Sequence, residues 1–109
     1  MSARNSAGSV SVNPTTYNVT MTLADTEYSQ QLSQYTKKFM IHTRDESSFR
    51  LAFATGHVAT PVAPYMTIPS GCRYDEPDTF LRVATLDWNG TLYFASAEAL
   101  KVIEIVEWI

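Results

Sequence analysis

The chain has 109 residues, enough for one domain and little more, and 45% of them are apolar, so a core forms only if most of the chain contributes to it. A domain this small buries roughly 60 to 65% of the surface its unfolded chain exposes, which leaves room for partners or further copies to add stability. A net charge of −3 with 17% charged residues excludes binding of nucleic acid through its phosphates, which needs a concentrated basic surface.

Lys37-Lys38, with Arg44 and Arg50 further on, is the sole local basic cluster. It reads as the solvated edge of a strand, where charge discourages aggregation. A single Cys72 excludes an internal disulfide, and only His42 and His57 are available to activate it, so it reads as a plain thiol. Zinc would need three or four converging Cys, His or carboxylate ligands, and no CxxC, HxxxH or HxH spacing occurs. No metal and no cofactor is expected. No apolar stretch has signal-peptide or membrane-span length, so the expectation is a soluble protein made in the cytoplasm, with no membrane partner.

Residues 1–15 are rich in Ser, Asn, Ala and Gly and have little to bury. By themselves they cannot offset the entropy lost on ordering, so they read as a flexible arm ahead of a domain at 16–109. Laid across a neighbouring subunit, the arm would dock through Val10, Val12 and Pro14.

Residues 17–23 alternate without a fault: Tyr17, Val19, Met21 and Leu23 face one way, Asn18, Thr20 and Thr22 the other. Period two means a half-buried strand. Residues 28–35 resume more weakly, as an edge strand or extended loop. Residues 37–43 place Phe39, Ile41 and Thr43 on one face, a polar loop of hairpin length follows at 45–48, and Phe49, Leu51 and Phe53 give the returning strand. Residues 56–64 carry two prolines and read as a loop able to project from the body. Residues 65–68 form a short strand closed by Pro69-Ser70-Gly71, and 72–79 an acidic loop without the spacing of a calcium site.

The stretch 81–108 reads as a meander. Asn89-Gly90 is the strongest short hairpin signal, because a type I′ turn needs positive φ at both central residues. Residues 97–100 are a connection with some helical character. The last run alternates Ile103, Ile105 and Ile109 with Val102, Val106 and Trp108, apolar on both faces, so it is expected as a strand covered from both sides with its end buried. Short strands at intervals of about ten residues, with no long helix, describe an all-β, single-domain antiparallel β-sandwich or jelly roll.

Thr26 to Ser29 (TEYS), the Lys37 to Arg44 strand, Arg50 to Phe53 (RLAF), Tyr65 to Tyr74 (YMTIPSGCRY) and the Thr91 to Trp108 close together resemble small all-β structural proteins of tailed-bacteriophage virions, over roughly residues 20–108. Gln34-Tyr35 and a longer 57–64 loop depart from that pattern. The resemblance implies a virion component that assembles in the host cytoplasm, most directly a capsid decoration or cement protein: a homo-oligomer, trimer or dimer, bound to the major capsid protein and stabilising the head. An adaptor, neck or fibre-anchoring position in the virion is the alternative.

Val10, Val12, Pro14, Tyr28 and Tyr35 are the candidate partner-binding residues, since aromatic anchors dominate interface energies. A carbohydrate-binding sandwich is a further alternative and requires a planar row of exposed rings such as Tyr28, Tyr35 and Tyr65. No nucleophile, acid pair or metal set supports an enzyme.

Overall fold

The computed structural model describes residues 14–77 and 89–109. Within them the alternating segments become eight strands: β1 (Pro14–Met21), β2 (Tyr28–Gln31), β3 (Lys38–Thr43), β4 (Phe49–Ala52), β5 (Met66–Ile68), β6 (Tyr74–Glu76), β7 (Thr91–Ala95) and β8 (Lys101–Trp108). They form two four-stranded sheets, ordered β1-β8-β3-β6 and β2-β7-β4-β5, with every pairing antiparallel. This is a β-sandwich.

The core is the sum of the inward parities of both sheets. Met21, Phe39, Ile41, Ile103 and Ile105 from the first sheet meet Phe49, Leu51, Ile68, Leu92 and Phe94 from the second, with Leu32 closing one end. Each such side chain, taken fully out of water, contributes about 1.5–3 kcal/mol. Strand β8 lies between β1 and β3, so its residues sit in cross-sheet rows: Val19, Ile103 and Thr43, then Tyr17, Ile105 and Ile41, then Thr15, Glu107 and Phe39.

Two connections differ from the sequence reading. Residues 44–48 do not close a hairpin, because β3 and β4 belong to opposite sheets and the loop crosses between them. Thr43 Oγ1 donates to the Ser47 carbonyl at 2.5 Å, the Asp45 carboxylate accepts from the Ser47 N–H, and Glu46 takes a positive φ of 65°. A hairpin and a sheet-to-sheet crossing bury the same alternate residues, so alternation cannot tell them apart. The same holds at the end of the chain, where β7 and β8 also lie in opposite sheets and no meander joins them. Residues 96–100 make that crossing without helix, ending on Leu100 at φ 63° with its N–H bonded to the Met21 carbonyl at 2.8 Å. Gly90 has φ 85° and Asn89 Oδ1 accepts from Thr91 N, but the strand expected upstream lies outside the described residues, and with it the hairpin expected there.

Four boundaries also shift. Pro14 and Thr15, placed in the arm by composition, open β1 opposite Trp108 and Glu107. Leu23, expected inside, lies beyond β1 and is exposed. The acidic stretch is partly strand: β6 pairs with β3, Glu76 is buried and accepts from the Tyr74 hydroxyl at 2.7 Å, and the Tyr74 ring packs between Phe39 and Phe53. The 56–64 loop does not project. It folds over the outer face of the second sheet, where Val58 is fully buried against Ala52, Ala95 and Tyr93. Glu27 grips its start through Thr55 Oγ1 and Gly56 N, and Arg50 Nε donates to the Val58 carbonyl at 2.7 Å. Two alanines on an outward face are the space that loop needs.

Candidate interaction surface

The two ends of the sandwich differ in charge and in how their loops are held. At the end where β1 stops and β8 begins, the charges pair with one another: Lys101 with Asp45 and Glu98, and Arg50 with Asp25, while Arg44 meets Glu104 nearby. Hydrogen bonds from Lys101 and Ser47 hold the Asp45 carboxyl well below the usual carboxylate range, and the Lys101 ammonium is correspondingly raised by Asp45 and then Glu98.

At the opposite end, where β1 starts and β8 finishes, the strand register brings Pro14, Trp108 and Lys38 into one row. The Lys38 ammonium sits 4.8 Å above the Trp108 ring, a cation–π contact. Neither Lys37 nor Lys38 has a carboxylate partner among the described residues. Beside them the 32–37 loop presents Tyr35, 68% exposed, and together Gln34, Tyr35, Thr36 and Lys37 line a shallow depression.

What fixes that loop is Glu107. It follows Ile103 and Ile105 on the inward parity of β8 and is fully buried. Its Oε1 accepts from the Ser33 N–H at 3.0 Å and from the Thr36 hydroxyl, and its Oε2 from the Tyr17 hydroxyl. A buried carboxylate is tolerable only when it is well hydrogen-bonded, and here three donors meet its two oxygens. The hydrogen bond to Glu107, then burial, then the carboxylate's charge push the Tyr17 phenol up to about 12. The Lys37 N–H adds a bond to the Trp108 carbonyl at 2.7 Å, so three hydrogen bonds tie the loop to β8. Tyr35 is therefore an exposed ring on a fixed support, which lowers the entropy lost when a partner covers it.

Of the expected binding residues, Pro14 and Tyr35 lie at this end of the sandwich, whereas Val10 and Val12 lie outside the described residues. Tyr28 does not join them. It starts β2 at the other end, packs against the core, and its oxygen accepts the Leu23 N–H at 2.9 Å. Tyr65 stands before β5, on the edge of the second sheet opposite β2. The row of rings that a sugar-binding face requires is not assembled. Glu107 was missed in sequence, although a Glu two residues after two inward isoleucines is a visible signal that something polar must meet it inside.

A groove of about 370 Å³ on the flank of the first sheet gathers Met40, His42, Glu46, Gly71, Cys72 and Arg73. His42 Nδ1 lies 2.8 Å from the Thr43 carbonyl, and its Nε2 lies 3.6 Å from a Glu104 carboxylate oxygen. Among the described residues no three His, Cys, Asp or Glu side chains converge to hold a metal ion, and no helix is long and apolar enough to cross a membrane. Comparisons with protein-family models, curated proteins and solved structures found no match to this chain.

Proposed function

We propose that this chain is a structural protein of a bacteriophage virion, a decoration or cement protein that binds the major capsid protein and stabilises the head without catalysing a reaction. The observation that carries the reading is the end formed by Pro14, Tyr35, Lys37, Lys38 and Trp108: an exposed ring on a loop that a buried carboxylate holds, beside two lysines with no carboxylate partner among the described residues. Adhesion needs such a surface and little else. The cations suit an acidic patch on the partner, a pairing that speeds encounter and fixes orientation. Strand β1 starts with Pro14 at this same end, where an N-terminal arm would extend the contact.

The test is reconstitution on capsids that lack the protein. Added chain should bind at a copy number comparable to that of the major capsid protein and raise the temperature at which heads burst. Tyr35→Ala, Lys37→Glu and deletion of residues 2–13 should each weaken attachment while leaving the unfolding midpoint of the free chain unchanged. Binding only at the copy number of a single vertex or tail would move the protein to an adaptor or neck position. Full-strength binding by all three variants would refute this surface.

A further inference from the structure

Strand β1 differs from every other edge of the sandwich. An edge strand offers unpaired backbone N–H and C=O groups to any passing strand, and folded chains guard such edges by shortness, proline or charge. Among the described residues, three of the four edges are guarded. Strand β5 has three residues between Pro64 and Pro69; β6 has three, with Arg73 before it, Asp75 and Glu76 within it and Pro77 after; β2 has four, with Glu27 before it. Strand β1 has eight residues, PTTYNVTM, without a charge, and its only proline is the first residue. Its register with β8 runs one to one from Pro14↔Trp108 to Met21↔Lys101, with no bulge to twist the free side away. Among the described residues nothing pairs with that free side.

The geometry points to self-association through β1: two copies pair this strand antiparallel about a two-fold axis at Asn18, joining their first sheets into one continuous sheet. In that register Asn18 meets Asn18, Thr16 meets Thr20 and Tyr17 meets Val19 of the second copy. The outward set, Thr16, Asn18 and Thr20, is exposed and polar, and the inward set, Tyr17 and Val19, is core whose rims stay half-open at this edge. Polar therefore faces polar outside, and an aromatic faces a β-branched residue inside, both favourable cross-strand pairs. An uncharged strand also lacks the like-charge repulsion that would oppose an isologous contact. The occupant is a second copy because the strand complements itself in length, polarity and parity. The inference stands apart from the capsid reading, since it concerns the isolated chain.

The experiment is sedimentation velocity of the full chain over a wide dilution series. Wild type should sediment as a concentration-dependent dimer, and Asn18→Lys, which sets two ammonium groups against each other on the axis, should lose the dimer boundary while keeping the same far-ultraviolet dichroism and urea midpoint. In a Cys72→Ser background, Asn18→Cys should oxidise to a disulfide-linked dimer and Gln31→Cys on β2 should not. The cysteine pair decides the matter if Asn18→Lys fails to fold. A wild type that is monomeric throughout, a dimer that survives Asn18→Lys, or an Asn18→Cys chain that stays uncross-linked would each overturn the proposal.

Discussion

Replacing Glu107 is the sharpest test of how the exposed end is held. Glu107→Ala removes the acceptor for three donors: the Ser33 N–H, the Thr36 hydroxyl and the Tyr17 hydroxyl. Hydrogen bonds to a charged group contribute about 1.5–3 kcal/mol each, but the two hydroxyls can rotate toward other acceptors and recover part of that. The Ser33 N–H cannot, because the backbone fixes it, and leaving it unsatisfied costs about 1–3 kcal/mol. The expected loss is about 3–5 kcal/mol, a large part of the roughly 5–15 kcal/mol that stabilises a domain of this size. Glu107→Gln keeps one oxygen for Ser33 and Thr36 and turns an amide N–H toward the Tyr17 oxygen, which can accept, so it should cost only about 1–2 kcal/mol. Urea unfolding followed by tryptophan fluorescence measures both, with unchanged m-values showing that the unfolded reference is the same. The Ser33 amide should also lose hydrogen-exchange protection in Glu107→Ala. A loss below about 1 kcal/mol for alanine, or equal losses for alanine and glutamine, would refute the view that a satisfied carboxylate holds this loop.

Three further outcomes follow from particular residues. Folding lifts the Tyr17 phenol from its ordinary 10 to about 12, so the stability it contributes is complete below pH 10 and is lost as pH climbs toward 12; ultraviolet titration should show a lagging tyrosinate that vanishes in Tyr17→Phe, and a normal titration would refute the contact. Leu100 is exposed at φ 63°, a conformation that costs a side-chain-bearing residue about 1–2 kcal/mol, so Leu100→Gly should stabilise by a net of about 0.5–1 kcal/mol in thermal unfolding, with a loss counting against the strained turn. Trp108 is half-buried beneath Lys38, so Trp108→Ala should cost about 1–2 kcal/mol in urea unfolding, short of the 3–5 typical of a fully buried ring, and a loss in that higher range would refute its placement.

The strands themselves were legible because period two needs only side-chain polarity to be read. Phe39, Ile41 and Thr43 sit inward as their alternation required. What alternation cannot carry is which sheet a strand joins. Phe49 and Leu51 face the core whether the chain turns back beside β3 or crosses to the other sheet, and the crossing is set by how the whole set of apolar faces closes on itself. Composition misled where a polar stretch had a tertiary partner. The 72–79 stretch looked like a loop because its carboxylates are counted one at a time, yet Glu76 is buried beneath the Tyr74 hydroxyl. The 56–64 loop looked free because Ala52 and Ala95, which make room for Val58, are distant in sequence.

The candidate surface was legible only in fragments for a related reason. Tyr35 could be named as an anchor from its type and its polar neighbours, but its rigidity comes from Glu107, seventy-two residues later in the chain. That coupling joins the fold to the proposed function. The inward parity of β8 that builds the core with Ile103 and Ile105 reaches the end of the strand one residue pair later, where the interior gives way to the 32–37 loop. A third isoleucine there would bury more apolar surface but leave the Ser33 N–H without an acceptor. The carboxylate gives up that apolar burial and in return orders the loop that presents Tyr35 and Lys37. Under the proposed function, substitutions at Glu107 should therefore weaken attachment to the partner, read by the same capsid reconstitution, beyond what they cost in folding, since a loosened loop must be re-ordered on binding.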